Sequence, residues 1–495
     1  MYSQDMNPSS SLLIHTPAPG SPGSSVFDLP IQSSGPTTAR PKPPAIHTQA
    51  LDHCPQEDTP KFKHSYVVIS GGTGGNAICT AFEKACYVLP ISDDGGSSSE
   101  IIRVLGGPSV GDIRSRLVRL IPSAPPDSPL DAIRKLLAHR LPAHYSERQA
   151  RDEWRDIVEG RSSLWEGIPT DRKETIRGFL VYFESELLKR AHKNFTFVNG
   201  SIGNYFIAAA QGFFRSLPSA IFLFSSITNS QANILPVIVT NHTVTIAAEL
   251  ENGERLVGQC EISHPVSNTE VPSINVIDSV GWSPLEEIDG MGGTNVQRQK
   301  HQNVMFEHDK KDHYEPLSAR ISRLLYINAY GMEIHPTPNP DYIASLNTND
   351  VLVYSCGSLW TSIMPCLAFR GVASAIARSH TLKAKILLLN SQNDRETDGY
   401  TAVDYIQAIT RTLNSQYQVP AYGLGNANTM YPISAFITDL IYLKGGTVHV
   451  DVKKITALGV RCTEVITDNV ESGGPKFSVS CVKRTMDEIL SRPRT

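Results

Sequence analysis

Short apolar runs, each followed by small or polar residues and then by a predicted helix, recur along this chain. The first run, Tyr66-Val-Val-Ile69, has the β-branched character of a buried parallel strand, and it ends in Ser70-Gly-Gly-Thr-Gly-Gly75. Further runs of this kind occupy residues 87–91, 351–354 and 384–390. Because strands that alternate with helices form parallel sheets, the pattern predicts an α/β, Rossmann-like fold of three layers with a mainly parallel sheet.

Several segments depart from this alternation, and they set the expected domain organisation. Residues 127–193 are charged, with apolar positions three and four apart, and are predicted to form a helical insertion in a main domain at 63–455. Residues 267–314 lack a period and are expected to be a flexible insertion. Pro, Ser, Thr and Gly dominate residues 1–62, which we expect to be a disordered tail. Residues 456–495 are set apart as a C-terminal segment.

Local signals predict the smaller elements. Turn residues at 241–242 and at 251–253, each between apolar runs, predict β-hairpins. Residues 434–443 have the spacing of a helix, and residues 447–452 read as a short strand at the edge of the sheet. Asp112 is predicted to be the N-cap of a helix that begins at the next residue.

The composition is that of an ordinary soluble protein. The 495 residues carry a formal net charge of -4, with 40% hydrophobic and 19% charged residues, which gives no reason to expect nucleic acid or an anionic membrane as a partner. Eight cysteines without a C-x-x-C pair favour free thiols in a reducing compartment. No apolar run reaches the roughly 18 residues of a membrane-spanning helix. We therefore expect a cytoplasmic protein, and leave open whether it forms a homo-oligomer.

The glycine loop after the first strand has the features of a phosphate-binding loop. Gly72-Thr-Gly-Gly-Asn-Ala77 fits the G-x-G-x-x-A pattern, in which glycine lets the backbone approach a phosphate and the following helix offers unpaired N–H groups. A second loop of small residues, at 95–99, follows the next strand, which favours a ligand over a simple tight turn. The residues predicted to surround a phosphate are Gly71, Gly72, Thr73, Gly74 and Asn76.

Charged residues near this loop are candidates for chemistry. Asp93 and Asp94 follow the glycine loop by about 20 positions, the spacing at which dinucleotide folds place a carboxylate on ribose hydroxyls. The same carboxylates could hold a metal, or could merely cap the loop that follows. Arg114 or Arg116, on the helix beside the loops, could reach a phosphate with a planar guanidinium or could form surface salt bridges.

Two further polar turns precede predicted helices and are expected to form the opposite wall of the site. Ser201 and Asn204 lie in one of them. Gly357, Ser358 and Thr361 lie in the other, directly after the strand at 351–354. Helix capping is the alternative role of these hydroxyl and amide groups.

Six ordered motifs together resemble the superfamily that contains 2-phospho-L-lactate transferase (CofD) and the YvcK-like gluconeogenesis factors. They are Gly71-Gly-Thr-Gly74, Ser92-Asp-Asp-Gly-Gly-Ser-Ser98, Gly111-Asp-Ile-Arg114, Ser201-Ile-Gly-Asn204, Gly357-Ser-Leu-Trp-Thr-Ser362 with Pro365, and Glu396-Thr-Asp-Gly-Tyr400. The Asp93–Ser98 run is more similar to the YvcK-like branch.

The resemblance implies two different functions. The YvcK-like branch binds UDP-sugars and acts in carbon metabolism, which implies a nucleotide or nucleotide-sugar as the partner of this chain. The CofD branch transfers a phospholactyl group from a guanylated donor to a hydroxyl acceptor with a divalent metal, which implies Mg²⁺, Asp93 and Asp94 as catalytic residues, and Asp94 as a metal ligand. A third alternative is a scaffold without catalysis that keeps a vestigial pocket.

Overall fold

The computed structural model describes residues 64–264, 315–328, 330–415, 430–471 and 474–492. The predicted tail at 1–62 and the predicted insertion at 267–314 lie outside the described residues. Among the described residues no single helix is long and apolar enough to cross a bilayer, although the two helical segments at Leu359–Leu367 and Val372–Arg378, bent by 81°, pass that test of length and composition as a pair.

Helices and strands alternate through most of the described chain. The strands are β1 (Tyr66–Ile69), β2 (Ala85–Leu89), β3 (Asn233–Pro236), β4 (Thr245–Leu250), β5 (Arg255–Val257), β6 (Ile321–Ile327), β7 (Glu333–Ile334), β8 (Val351–Tyr354), β9 (Ala384–Leu388), β10 (Asp439–Leu443), β11 (Arg461–Val465), β12 (Val470–Glu471) and β13 (Gly474–Pro475). The α-helices are α1 (Gly72–Ala77), α2 (Gly96–Leu105), α3 (Gly111–Arg119), α4 (Pro129–Ala138), α5 (Glu147–Val158), α6 (Thr170–Leu188), α7 (Ile202–Phe214), α8 (Leu217–Ile227), α9 (Gln259–Ser263), α10 (Pro340–Leu346), α11 (Met364–Leu367), α12 (Val372–Arg378), α13 (Ala402–Asn414), α14 (Val452–Ala457) and α15 (Val479–Ser491).

Seven of these strands form one parallel sheet in the order β11-β10-β9-β8-β1-β2-β3. All residues of β1, β8 and β9 are buried, as expected for strands covered by helices on both faces. Ile69 at the end of β1 pairs with Val88 and with Tyr354, so the loops that follow β1, β2 and β8 leave the sheet at nearly one level. The predicted Rossmann-like α/β fold is confirmed.

The order of the strands reverses between β1 and β8. From β1 the chain proceeds through β2 to β3 on one side, and from β8 it proceeds through β9 and β10 to β11 on the other. In open α/β sheets this reversal separates the two flanking loops and leaves a crevice at the carboxyl ends of the strands. The glycine loop after β1 and the small-residue loop after β8 flank this crevice.

A second sheet, antiparallel and of the order β5-β4-β6-β7, lies outside the parallel sheet. The predicted hairpin at 251–253 is confirmed, since β4 pairs with β5 across a turn in which Gly253 has φ +86°. The predicted hairpin at 241–242 is wrong. Strand β3, before that turn, pairs with β2, whereas β4, after it, pairs with β6, so the turn residues join two different sheets.

The C-terminal third differs from the prediction in two elements. Within the predicted helix at 434–443, residues Asp439–Leu443 are strand β10, because a place between β9 and β11 overrides a helical spacing of apolar residues. The predicted strand at 447–452 is a loop followed by the start of α14. Strand β11 belongs to the predicted C-terminal segment, 456–495, and pairs with β10 in the main sheet.

The charged region at 127–193 forms helices α4, α5 and α6, as predicted. Its apolar side is held to α7 and to the segment before α7 by aromatic contacts. The Trp154 ring stacks on Phe197 with centroids 5.1 Å apart, and the Phe183 ring stacks on Tyr205 at 4.6 Å. Helix α7 is thereby fixed with its N-terminus facing α2 and α3.

Candidate functional site

The loops after β1 and β8 touch each other across the crevice. A Cβ atom built on Gly74 would lie 3.3 Å from the Cys356 carbonyl oxygen, and one built on Gly357 would lie 3.2 Å from the Gly71 carbonyl oxygen. Gly357 also has φ +144°, a conformation that side chains disfavour. The structure thus brings together four of the predicted site glycines, Gly71, Gly72, Gly74 and Gly357. Thr73 lies in the same loop, within the first turn of α1.

Helix α3 holds the glycine loop from both sides. The Asp112 Oδ1 atom accepts a hydrogen bond of 3.1 Å from the backbone N–H of Gly72. One turn later, Arg116 donates from Nη2 to Ser70 Oγ at 2.7 Å and from Nε to Asn76 Oδ1 at 2.8 Å. Asn76, predicted to bind phosphate, therefore uses its side-chain oxygen within the protein. The predicted N-cap role of Asp112 is wrong, because the helix begins at Gly111 and Val110 occupies the N-cap.

Arg116 is a buried cation behind the loop. Its side chain is 1% exposed, and its guanidinium carbon lies 4.7 Å from the centre of the Tyr87 ring. Burial lowers the pKa of the guanidinium, and the charge of the Asp112 carboxylate opposes this shift. The Nη1 atom has no hydrogen-bond partner among the described residues. The guanidinium thus supports the loop and places positive charge beneath it.

Arg114, the other predicted phosphate ligand on α3, caps a neighbouring helix. Its Nη2 atom donates to the carbonyl oxygens of Leu137 and Ala138, at 3.1 and 2.7 Å, where α4 ends. Burial, and then the nearby charge of Arg140, lower the pKa of Arg114 to about 10. The hydrogen bonds thus direct this guanidinium toward α4, and a contact with phosphate stays a prediction.

Three carboxylates surround the start of α2. Asp93 Oδ1 accepts a hydrogen bond from Gly95 N at 3.0 Å, and Asp94 Oδ1 accepts one from Cys260 N at 2.9 Å. Both side chains are partly exposed, although protein atoms closely surround them. Burial, followed by repulsion from Asp112, raises the pKa of Asp93 to about 8, and burial also raises the pKa of Asp94. The structure therefore places the two predicted catalytic residues beside a third carboxylate, Asp112.

The N-termini of α2, α3 and α7 meet beside these carboxylates. Asn204 Nδ2 donates to Ser97 Oγ at 2.7 Å, and a Cβ atom on Gly111 would lie 2.8 Å from Ser98 Oγ. No N-cap side chain of the three helices accepts a hydrogen bond, but the first N–H of α3 donates to Ser109 Oγ at 3.4 Å and that of α7 donates to the His139 carbonyl oxygen at 3.1 Å. Ser201 and Asn204 are only 0% and 3% exposed, so both lie behind the wall surface.

The loop after β8 forms one wall of the crevice, and residues that follow β9 hold it in place. Asn390 accepts from Gly357 N at 3.0 Å through Oδ1 and donates to Gly357 O at 2.8 Å through Nδ2. Thr361 is buried and donates its hydroxyl to Glu396 Oε1 at 2.5 Å, whereas Ser358 is partly exposed. The Thr361 hydroxyl is thus used within the protein, and a contact between Ser358 and a ligand stays a prediction.

Three residues near the site were missed as site residues. Asp112, Asn390 and Glu396 hold the two loops that border the crevice. The sequence signal for Asn390 and Glu396 is a polar stretch directly after a buried strand, the same signal that identified Asp93. For Asp112, the local sequence predicts a helix N-cap and gives no sign of the contact with the glycine loop.

A complete metal site formed by protein alone is absent from the part of the chain that the structure describes, where no three His, Cys, Asp or Glu side chains form a ligand cluster. The role of Asp94 as a metal ligand stays a prediction. A hollow of about 540 Å³ between the starts of α4 and α6 and the end of α8 is lined by other residues, among them Pro129, Arg172 and Ile227.

The sequence of this chain is similar to a protein family and to individual proteins of yeast and bacteria. The family described as 2-phospho-L-lactate transferase CofD matches residues 66–467. An uncharacterized protein of Saccharomyces cerevisiae is 36% identical over 441 residues, which cover 82% of this chain and 96% of the yeast protein. The gluconeogenesis factor of Halalkalibacterium halodurans is 22% identical over 407 residues, which cover 80% of this chain and 88% of that protein.

A solved structure has the same fold. The crystal structure of a UPF0052 family member from Bacillus halodurans aligns with a TM-score of 0.54 at 18% identity, and covers 86% of this chain and 99% of that one. The match over residues 66–467 spans most of the chain and contains the glycine loop, the aspartates and both walls of the crevice. This chain therefore belongs to the 2-phospho-L-lactate transferase CofD family, within which its relatives include gluconeogenesis factors.

Proposed function

We propose that this protein binds a nucleotide or a nucleotide-sugar of the UDP-sugar kind in the crevice between β1 and β8, and acts in the regulation of carbon metabolism. One observation carries the proposal. The strand order reverses at β1 and β8, and the two loops that leave these strands meet through Gly74 and Gly357, whose Cβ positions would lie 3.3 and 3.2 Å from facing backbone carbonyl oxygens, a tight approach. Open α/β sheets bind nucleotides at this position, where backbone N–H groups can approach a phosphate.

The half-exposed residues define the surface that the ligand would contact. The predicted site residues that are partly accessible include Gly72, Gly74, Asp93, Asp94, Arg114 and Ser358, whereas Asn76, Ser201, Asn204 and Thr361 are buried. The ligand would therefore contact backbone groups of the glycine loop and the carboxylates after β2. Asn76, Ser201, Asn204 and Thr361 would act by holding these groups in place, since their side chains are 8% exposed or less.

The charge of this surface favours a divalent cation as a co-ligand. Burial, and then repulsion from Asp112, raise the pKa of Asp93, and a cation between ligand phosphates and these carboxylates would relieve the repulsion. Mg²⁺ commonly uses one or two carboxylates and completes its coordination with phosphate oxygens and water. One or two of the Asp93, Asp94 and Asp112 carboxylates would hold it, and ligand phosphates and water would supply the remaining oxygen atoms, since no three such side chains form a cluster among the described residues. This incomplete set of oxygen donors fits Mg²⁺, and the ion would neutralise phosphate charge.

Transfer of a phosphoryl-linked group is the second candidate function. It is favoured by the position of Asp93, whose carboxyl has its pKa raised to about 8 and so can exchange a proton near neutral pH. In this mechanism the ionised form of Asp93 would take the proton of a hydroxyl acceptor while the acceptor oxygen bonds to phosphorus and the nucleotide leaves, and the N-terminus of α2 would stabilise negative charge on the transferred group.

A ligand screen tests the binding proposal. Thermal unfolding of the full-length chain is measured with UDP-glucose, other UDP-sugars, GDP and GTP, each with and without Mg²⁺. A true ligand at 100 times its Kd stabilises the fold by about 2.7 kcal/mol. We expect a UDP-sugar to raise the Tm in Mg²⁺ and to lose this effect in Gly74→Val, because the valine side chain would push the Cys356 carbonyl out of place.

A turnover assay separates the two functions. A transferase releases a nucleotide from its donor in the presence of a hydroxyl acceptor, and Asp93→Asn abolishes that release. A binding protein shows saturable binding with no released nucleotide. If no member of the screen stabilises the wild type and Gly74→Val behaves as the wild type in every assay, the scaffold alternative replaces both.

A further inference from the structure

Glu396 occupies a position in the fold that the proposed function leaves unexplained. It lies on a short 3₁₀ turn, Arg395–Thr397, that follows β9, and its side chain is 2% exposed. Its carboxylate faces the first turn of the helical segment that follows β8, a π-type turn at Leu359–Ile363. A group this deeply buried does not reach a ligand in the crevice, so its effect must pass through the residues that it contacts.

One carboxylate satisfies three donors of that turn. Glu396 Oε2 accepts from Trp360 N at 2.9 Å and from Thr361 N at 3.1 Å. Glu396 Oε1 accepts from the Thr361 hydroxyl at 2.5 Å. Ser358, the N-cap of the turn, makes no side-chain cap. Glu396 therefore supplies, from the turn after β9, the cap that the local sequence does not provide.

Glu396 is itself held by a short chain of hydrogen bonds. Its backbone N–H donates to Asp394 Oδ1 at 3.1 Å, and Thr397 Oγ1 donates to the same oxygen at 2.7 Å. Tyr405, from α13, donates to Thr397 Oγ1 at 2.9 Å. The position of the carboxylate is thus fixed by the helix behind it.

The turn that Glu396 holds continues directly from the ligand-facing loop. Gly357 approaches the Gly71 carbonyl oxygen across the crevice, and Asn390 holds the backbone of Gly357 by two hydrogen bonds. Asn390 thus fixes the start of the loop and Glu396 fixes its end. Release of either end would change the spacing between the loop and the glycines that face it.

We propose that Glu396 is a positioning residue that sets ligand affinity by accepting hydrogen bonds from Trp360 and Thr361, and not by its charge. The proposal rests on the proposed function, since it concerns the wall of the same crevice. The two acceptor atoms have separate roles: Oε2 takes both backbone N–H groups and Oε1 takes the hydroxyl. A glutamine can reproduce this arrangement, because its oxygen can replace Oε2 while its amide donates to the Thr361 hydroxyl, which accepts as well as donates.

A comparison of Glu396→Ala with Glu396→Gln in the full-length chain tests the proposal. Amide hydrogen exchange is measured at Trp360 and Thr361, and affinity is measured with UDP-glucose and Mg²⁺ as the probe. We expect Glu396→Ala to accelerate exchange at both amides at least tenfold and to weaken binding about 10- to 100-fold, the usual effect of losing a supporting residue. Glu396→Gln should stay within about threefold of the wild type in both assays.

Two variants control for nonspecific effects. Glu174→Ala removes an exposed glutamate on α6 and should change neither measurement. Thr361→Val removes one of the three donors and should weaken binding less than Glu396→Ala does. If Glu396→Ala does not fold, Thr361→Val tests the positioning role of Glu396 in its place. A Thr361→Val variant that binds UDP-glucose as tightly as the wild type would then overturn the proposal.

Different experimental results would overturn the positioning role of Glu396 and the proposed binding function. Unchanged exchange in Glu396→Ala overturns the positioning role, and a Glu396→Gln variant that fails as badly as Glu396→Ala overturns the claim that charge is dispensable. A wild type that does not bind any member of the ligand screen overturns the proposed function instead. The exchange rates at Trp360 and Thr361 would still decide whether Glu396 holds the loop.

Discussion

Asp112 accepts a hydrogen bond from the backbone N–H of Gly72, 3.1 Å away and 40 residues earlier in the chain. This contact ties the first turn of α3 to the glycine loop after β1. It also places the Asp112 carboxylate close to Asp93, where its charge adds to burial in raising the pKa of Asp93. Asp112 thus contributes both to the conformation of the glycine loop and to the negative charge of the crevice.

Replacement of Asp112 should separate these two effects. Asp112→Asn keeps an oxygen that can accept from Gly72, whereas Asp112→Ala leaves that N–H without its partner. We expect Asp112→Ala to be less stable than Asp112→Asn by about 1–2 kcal/mol, measured by urea unfolding at neutral pH. Equal stabilities of the two variants would show that the hydrogen bond does not hold the loop.

The pKa of Asp93 predicts a specific dependence of stability on pH. The folded-state pKa is about 8, whereas an unfolded aspartate titrates near 4. The folded protein therefore binds more protons than the unfolded chain between these values, and the free energy of unfolding should fall as the pH rises from about 4 to about 8.

Asp93→Asn should reduce this slope in denaturant unfolding curves recorded across that range. The slope should not vanish, because burial and the charge of Asp394 raise the pKa of Glu396 to about 8 as well. Asp171→Asn, which removes an exposed carboxylate, serves as the control. An undiminished slope in Asp93→Asn would contradict the assignment.

Arg116 should be important for stability although it forms no close ion pair among the described residues. Arg116→Met leaves Ser70 Oγ and Asn76 Oδ1 without their donor, and each buried unsatisfied group costs about 1–3 kcal/mol. We expect a loss of roughly 2–4 kcal/mol in urea unfolding. Arg119→Met, at an exposed position of the same helix, should change stability by less than about 0.5 kcal/mol. Similar losses in the two variants would be inconsistent with the network around Arg116.

Alanine variants of two glycines with similar backbone conformation, Gly258 and Gly253, test the contact between the start of α9 and Asp94. Gly258 has φ +93°, and a Cβ atom there would lie 2.3 Å from Asp94 Oδ2; Gly253 has φ +86° and nothing within 4 Å of its Cβ position. Both alanine variants carry the backbone strain, of order 1 kcal/mol. We expect Gly258→Ala alone to displace the Asp94 carboxylate and weaken binding of UDP-glucose with Mg²⁺, as measured by calorimetry. Equal affinities in the two variants would exclude a role for the position of Asp94.

The sequence was sufficient for features that depend on neighbouring residues. The β-branched run at Tyr66–Ile69, the glycines that follow it and the alternation of strands with helices correctly predicted a parallel α/β sheet, because each signal lies within a few residues of the element it describes. The loops after β1 and β8 were expected in one crevice for the same reason, since parallel strands end at one edge of a sheet.

Only the tertiary structure decided which polar side chains remain available to a ligand. Asn76 and Thr361 look like ligand contacts in the sequence, but their partners, Arg116 and Glu396, lie 40 and 35 residues away and are brought to them only by folding. Strand β10 was predicted as a helix for a related reason, since its pairing with β9 and β11 outweighs its local spacing. Hydrogen bonds and burial depend on partners distant in the chain, and a local pattern carries no information about them.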